Sequence, residues 1–174
     1  MANRWNAQWQ FIKNELEKCP DDYWKIVFIH RHQVFVERKA NLFKINYNYY
    51  APYFVPLFDQ YGVDFVFMGH AHYYANLDWK YTEDSLLYKN QDQPLTENLP
   101  PKKKLIHYII SGAGGNELRR NPPLTSEDVD VEGFHYRENS SQFLIVKVDN
   151  NRITVESKYA DTGNTMHERV YTKY

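Results

Sequence analysis

Apolar residues in the first part of the sequence recur at the spacing of an α-helix. Four of them fall on one face of such a helix: Trp5, Trp9, Ile12 and Leu16. Asn3 is suited to cap the first turn, and Pro20 ends the pattern. The first element is therefore predicted to be an amphipathic helix that packs one stripe of side chains against a core.

Two short, continuous apolar runs follow, at residues 24–30 (WKIVFIH) and 63–69 (VDFVFMG). Runs of this length without alternation are typical of strands buried on both faces. Between them, apolar residues at helical spacing predict a second helix, with Pro56 in its first turn and Gly62 at its end. Residues 32–50 have no clear period, and they are interpreted as a long loop. Strands that alternate with helices predict an α/β fold with a mostly parallel sheet.

The second half of the sequence has more of the character of antiparallel strands. Residues 73–81 and 105–111 are predicted strands, and the latter runs into a glycine-rich turn. Residues 141–160 contain two alternating runs around Asp149–Asn151, which predicts a hairpin, and a last edge strand follows it. The polar segment 80–104 is predicted to be an exposed insertion in a single unit, 1–174.

The two apolar runs need cover on both of their faces, which a sheet with helices on one side does not provide. We therefore expect that the working form of this protein is not a monomer of this chain.

Composition narrows the classes of function. The 174 residues are 43% hydrophobic and 25% charged, as in a globular domain, and a net charge of −1 predicts no nucleic-acid partner. No stretch of about 18 apolar residues predicts a membrane span, and the first residues lack the apolar core of a signal peptide. Cys19 has no partner for an internal disulfide, and Asn139 begins a glycosylation sequon.

Three histidines are candidate metal ligands. His30 and the pair His70 and His72 follow buried strands at their carboxyl ends, where α/β sheets bind ligands. Neutral imidazole suits zinc, iron and manganese, and Gly69 would permit a sharp turn beside the pair. Two alternatives remain: histidines that simply end strands and bond to carbonyl groups, or one zinc ion held by all three histidines.

Four segments, in this order, resemble a known family. They are "QWQFIKNELEKCPDDYWKIVFIHRH", "YFVPLFDQYGVDFVFMGHAHYYANL", "IHYIISGAGGNE" and "GFHYRENSSQFLIVKVDNNRITVESKYADTG". Together they resemble the C-terminal half of a purple acid phosphatase of the tartrate-resistant type, within the calcineurin-like metallophosphoesterase superfamily. The resemblance extends over nearly the whole chain.

The resemblance implies half of a four-layer αββα sandwich, with a mixed sheet and a C-terminal β-hairpin. It implies a dinuclear centre of iron with iron, zinc or manganese, where His30 and His70 would bind the divalent metal and His72 the iron. The implied reaction is hydrolysis of phosphate monoesters, and the family suggests a secretory, lysosomal or other endomembrane compartment.

The oxygen ligands of such a centre are absent from this sequence. The family takes them from D-x-H or D-x-x, G-D-x-x-[DY] and G-N-H-[DE] motifs in its N-terminal half, and none occurs here. A second polypeptide, or another segment, is expected to supply that half, and the metals are expected only when it is present. This chain alone is therefore expected to be inactive.

The half that is present also departs from the family pattern. The usual G-H-x-P motif is "IHRH", with Ile29 for glycine and His32 for proline. The family's later histidine is missing, and Lys39 lies in that neighbourhood. His32 and Lys39 are candidate phosphate contacts, and His135 in "GFHYRE" is a candidate for the substrate mouth.

Two functions are consistent with these features. The first is a metal-dependent acid phosphatase that is completed by the N-terminal half. The second is a catalytically degenerate phosphatase-fold subunit with a structural or anchoring role in a larger complex.

Overall fold

The computed structural model describes residues 3–39, 42–80, 102, 104–114, 124–125 and 131–173. These residues form two stacked β-sheets, a separate two-stranded hairpin and two helices. In chain order the elements are α1 (Asn3–Lys18), β1 (Ile26–Arg31), β2 (Val34–Lys39), β3 (Leu42–Tyr47), α2 (Ala51–Gln60), β4 (Phe65–Gly69), β5 (Tyr74–Lys80), β6 (Leu105–Ser111), β7 (Leu124–Thr125), β8 (Phe134–Glu138), β9 (Gln142–Asp149), β10 (Arg152–Tyr159) and β11 (Thr165–Thr172).

The larger sheet has the strand order β1-β4-β6-β5-β8-β7. β1, β4 and β6 are parallel, whereas β5 is antiparallel to β6 and β8, and β7 is antiparallel to β8. The smaller sheet is antiparallel, with the order β11-β10-β9. The predicted fold class is confirmed, with a mixed sheet and a hairpin at residues 142–159.

The two apolar strands predicted to be buried differ in how far they are covered. In β4, Val66 and Met68 join the core beneath the helices, and Phe65 and Phe67 join the core between the sheets. All four are buried because β4 has a strand on each side and a layer on each face. β1 is an edge strand, and its Phe28 side chain is 77% exposed. The inner face of the sandwich is therefore incomplete at β1.

Residues 32–50 are not a loop, so that prediction was wrong. β2 and β3 form an antiparallel hairpin, in which Val34 pairs with Tyr47 and Val36 with Ile45. Val34 and Phe35 pack against the core beneath the helices, while Val36 packs with Phe134. Because apolar side chains contact protein on both faces of the hairpin, the alternation that normally reveals such a strand is absent.

The second helix begins earlier than its pattern predicts. Pro52 lies in the first turn of the helix, and Pro56 lies further inside it rather than in the first turn. Proline has no N–H, so the helix lacks one internal bond at Pro56. Gly62 follows the helix with φ of 65° and allows the chain to reverse there, as predicted. The predicted insertion 80–104 lies almost entirely outside the described residues.

A buried carboxylate ties the two sheets together. Asp78 on β5 accepts hydrogen bonds from His107 Nδ1 at 2.6 Å, His135 Nε2 at 2.9 Å and Arg169 at 3.0 Å. These donors lie on β6, β8 and β11, so one carboxylate links three strands to β5. Burial alone would raise the pKa of Asp78, but the bonds from His107 and His135 and the charge of Arg169 outweigh it. The pKa of Asp78 therefore lies well below its usual range.

Removal of this charge should weaken the stacking of the sheets. We expect Asp78→Asn to lower the free energy of unfolding at pH 7 by about 3 kcal/mol, because it leaves Arg169 without its buried partner. A depressed carboxyl pKa contributes stability that is lost as the pH falls below the unfolded value of about 3.9, so the difference from wild type should shrink there. Urea denaturation at several pH values measures both effects. The exposed Asp161→Asn is the matched control, with an expected change within about 0.5 kcal/mol.

Candidate functional site

The carboxyl ends of two adjacent parallel strands bring the first predicted ligands together. β1 pairs with β4 from Ile26↔Phe65 to Ile29↔Met68, and the register then shifts so that Arg31 lies opposite Gly69. His30 is the extra residue at this bulge, and a bulge changes the direction of the side chain it carries. The ring centroids of His30 and His70 are 5.3 Å apart.

His32 is the third member of this histidine cluster, defined here as His30, His32 and His70. Its ring stacks on His70 with a centroid distance of 5.8 Å and an interplanar angle of 27°. Burial, together with the smaller effects of the charges of His70 and Arg31, lowers the pKa of His32 to about 4. Its Nδ1 atom is buried and has no hydrogen-bond partner. The cluster thus contains a polar ring atom that is unused.

The turn after β4 is tight, and it is His70 that adopts the unusual backbone conformation. His70 has φ of 65°, a backbone angle that residues other than glycine adopt only at a cost in conformational energy. Gly69, which was expected to provide the sharp turn, has no positive φ. Two backbone bonds of 2.8 Å, from Ala71 N–H to the Gly69 carbonyl and from Tyr73 N–H to the Ala71 carbonyl, hold the turn.

Gly112 packs directly against this turn. A Cβ atom at position 112 would lie 2.0 Å from the carbonyl oxygen of Ala71, so a residue with a side chain does not fit. Gly112 also donates its N–H to the Tyr73 carbonyl. Gly112, which begins the glycine-rich segment after β6, therefore supports the backbone of the His70 turn.

Desolvation and nearby positive charge lower the pKa of His70. Its own desolvation contributes most, followed by the charges of Arg31, His30 and His72. These shifts favour neutral imidazole, which is the form that binds metal ions. His72 is two residues beyond His70 and its side chain is exposed.

An open cleft of about 490 Å³ borders the cluster. It is lined by Phe28, His30, Phe67, Ser111, Leu144 and Val146, among others. Arg31 follows His30, a residue of the cleft lining, and its side chain is exposed. Its guanidinium carbon lies 5.8 Å from the centre of the Tyr50 ring, and Arg31 forms no salt bridge with another described residue. Sequence reasoning did not select Arg31, although its position between His30 and His32 was visible.

Of the two other candidates, His135 is not brought to the histidine cluster, and Lys39 is described only by its backbone pairing. His135 is bonded to Asp78, whose strand partner His107 lies opposite the first residue of β4. His70 follows the last residue of β4, so His135 belongs to the other end of the sheet. Lys39 is the last residue of β2 and pairs with Leu42. The position of its side chain is outside the part of the chain that the structure describes.

The donors present fit one side of a metal centre. Two metal cations need anionic oxygen ligands as well as imidazoles. Among the described residues, no group of three or more His, Cys, Asp or Glu side chains could hold a metal ion. The histidines could therefore contribute nitrogen donors only, and the described residues do not complete a site around them.

The backbone of His70 makes a testable contribution to stability. We expect His70→Gly to have a free energy of unfolding about 1 kcal/mol higher than His70→Ala, because glycine tolerates φ of 65° and alanine does not. Chemical denaturation of the two variants measures the difference. Equal stabilities, or a more stable alanine variant, would show that the turn relaxes and carries no strain.

Comparison with known proteins shows which folds this architecture resembles. No family model matches the chain, and no curated protein matches it significantly. Solved structures do match. A purple acid phosphatase from yellow lupin seeds has a TM-score of 0.60 and 16% identity, over 95% of this chain and 28% of that chain.

A second similar structure is GAP50, described as the anchor in the inner membrane complex of Plasmodium. Its TM-score is 0.64 at 14% identity, over 100% of this chain and 46% of that chain. Identities this low show the fold alone, and the chain spans less than half the length of either protein. This chain has the fold of the C-terminal half of a metallophosphoesterase of the purple acid phosphatase type.

Proposed function

We propose that this chain is one half of an acid-phosphatase-like metallophosphoesterase that hydrolyses phosphate monoesters. The observation that carries the proposal is the meeting of His30 and His70 at the carboxyl ends of two parallel strands, in a fold shared with a purple acid phosphatase. A polypeptide that carries the N-terminal half of the fold completes the site, because two cations need carboxylate ligands and the described residues form no cluster that could hold a metal ion.

The histidines have distinct proposed roles. His30 and His70 hold the divalent metal, and His72 holds the iron. When bound, a dinuclear centre of iron with iron, zinc or manganese acts as a Lewis acid towards the phosphoryl oxygens. The constrained turn at His70, supported by Gly112, fixes the direction of its ring. This use of the turn gives a reason for its conformational cost.

Arg31 and His32 are the proposed contacts for phosphate. Arg31 is an exposed cation beside the histidines, and a guanidinium group can bind two phosphate oxygens at once. His32 stacks on His70 and retains a buried nitrogen without a partner. Lys39 remains a further candidate at the end of β2. Lys39 lies in the neighbourhood of the family's later histidine, but a lysine is a poor proton shuttle near neutral pH, so protonation of the leaving group is assigned to the N-terminal half.

Metal content tests the proposal in the completed protein. We expect two metal ions per site by inductively coupled plasma mass spectrometry, together with hydrolysis of p-nitrophenyl phosphate. His30→Ala and His70→Ala should each remove at least half of the metal and lower kcat by more than about a hundredfold, because metal ligation organises the reaction. His135→Gln is the matched control, since glutamine can still donate to Asp78. A completed protein without bound metal would contradict the assignment.

Arg31 offers a second test, directed at substrate binding. Arg31→Gln should raise KM for p-nitrophenyl phosphate by about tenfold at unchanged metal content, because a charged hydrogen bond to phosphate is lost. Arg31→Lys should recover part of the affinity as a point charge without the fork geometry. The exposed Arg152→Gln, in the β9–β10 turn region, serves as the control with no expected change. An unaltered KM in Arg31→Gln would remove this residue from the site.

The second candidate function is a degenerate phosphatase-fold subunit with an anchoring role in a larger complex. Its support is the similarity to GAP50, whose description is that of an anchor, and the absence of carboxylate ligands among the described residues. No helix in the described part of the chain is long and apolar enough to cross a membrane. The two functions separate cleanly in the assembled protein: phosphatase turnover supports the enzyme, and stable assembly without turnover supports the anchor.

A further inference from the structure

In the part of the chain that the structure describes, the sandwich is open along one side, where the smaller sheet does not fully cover the larger one. At the far side, Tyr171 on β11 contacts Phe65 and is only 5% exposed. Towards β1, Phe28 stacks on Phe67 with ring centroids 5.2 Å apart, yet it remains 77% exposed. Among the described residues, cover is thus complete over Tyr171 of β11 and incomplete over β1, where Ile26 packs against the core but Phe28 does not.

The edge strand of the smaller sheet shows the same gap. Val146 and Val148 on β9 lie opposite Val155 and Ile153, which are fully buried in the core between the sheets. Val148 nevertheless is 56% exposed and Val146 is 37% exposed. These side chains point to the inner face, so their exposure means that nothing in the described chain packs beside β9.

The edge strands β1 and β9 border the same cleft. Phe28 and Val146 line it together, and His30 stands at its margin. Among the described strands, β1 pairs only with β4, and β9 pairs only with β10. In the smaller sheet, Tyr171 on β11 contacts Asn76 of β5 and Phe65 of β4. β9 extends from Ser111 at the end of β6, which Gln142 contacts, to the cleft that it shares with β1. A further strand added to β9 would therefore lie over Phe28.

We propose that the polypeptide which completes this fold adds a β-strand along the free edge of β9 and seats its apolar side chains on Phe28, Val146 and Val148. We call the surface formed by the free edge of β9 together with Phe28, Val146 and Val148 the open edge. The inference rests on the proposed function, because it identifies the partner with the carboxylate-bearing half. The N–H and C=O groups on the edge of β9 that has no neighbour among the described strands supply the hydrogen bonds. Every second side chain of the added strand then faces the cleft.

The position of the cleft beside the histidine cluster favours the polypeptide that carries the carboxylates over an unrelated partner. The cleft opens at His30, so a strand that fills it ends beside the histidine cluster. Carboxylates brought there would meet the imidazoles of His30 and His70 and the cation Arg31, and a two-metal centre needs such oxygen ligands beside its nitrogen donors. The similar solved structures are also longer, since this chain spans only 28% and 46% of them. One polypeptide thus accounts for both the uncovered face and the missing ligands.

Hydrogen exchange on the assembly purified from its own cells, through a tag on this chain, tests the open edge. β9 and β11 are the two outer strands of the same sheet, so each is the reference for the other. If a strand is added to β9, its amides should exchange about as slowly as those of β10, whereas β11 exchanges faster. Equal exchange of β9 and β11 would overturn the proposal.

Two matched pairs of variants locate the contact. Phe28→Asp and Val148→Asp should weaken the association of the completing polypeptide at least about tenfold, as expected for buried interface positions. Phe11→Asp on α1 and Val170→Asp on the outer face of β11 replace equally apolar, exposed residues and should change it less than about twofold. Where the two halves belong to one polypeptide, the midpoint of urea unfolding replaces the affinity. Equal effects within either pair would overturn the proposal.

Native mass spectrometry and metal analysis of the same sample separate the outcomes. An assembly that contains only copies of this chain, dissociated by Phe28→Asp, would make a second copy the occupant and overturn the proposal. Protection of β9 by a longer polypeptide without bound metal would support the open edge and contradict the proposed metal centre. Protection together with metal supports both.

Discussion

The parallel pairing of β1 with β4 is the constraint on which the rest of this structure depends. Adjacent strands lie only about 4.8 Å apart, so parallel pairing brings the residues that follow their ends into one place. His30 and His70 are separated by forty positions in sequence, and this pairing brings their rings within 5.3 Å. The bulge at His30 and the left-handed turn at His70 then direct the two rings towards each other. Gly112, on a third strand end, makes room for that turn.

Burial in the described chain is uneven in a way that concerns function. The core beneath the helices is closed, and its largest side chains are fully buried. The core between the sheets is closed near β11 and open near β9. Full burial of one large apolar side chain contributes about 2 kcal/mol, so cover on Phe28 and Val148 is a substantial driving force for association. The same association would bring new groups to His30, which couples completion of the fold to completion of the site.

Charge is placed at opposite ends of the larger sheet for different purposes. At one end, Asp78 holds His107, His135 and Arg169 in a fully used set of bonds that fastens the sheets. At the other end, His30, His32, His70 and Arg31 lie together without a carboxylate among the described residues. A satisfied network stabilises a fold, whereas a group of donors without their counterion is suited to receive a ligand. This contrast separates the structural histidines from the candidate functional ones.

Both helices, the strands β1, β4, β5 and β6 and the hairpin at residues 142–159 followed from the sequence, because periodicity is a local property. Strand-end position likewise selected His30, His70 and His72 as candidate ligands. The hairpin β2–β3 was missed because contacts on both faces remove the alternation that identifies a strand. Pro56 was misplaced because helix propensity does not decide where a helix begins once packing contributes. The stacking of His32 on His70, the fit of Gly112 against Ala71 and the use of His135 by Asp78 depend on residues far apart in sequence. Only the tertiary structure decides such contacts, since they arise when strands pair and sheets stack.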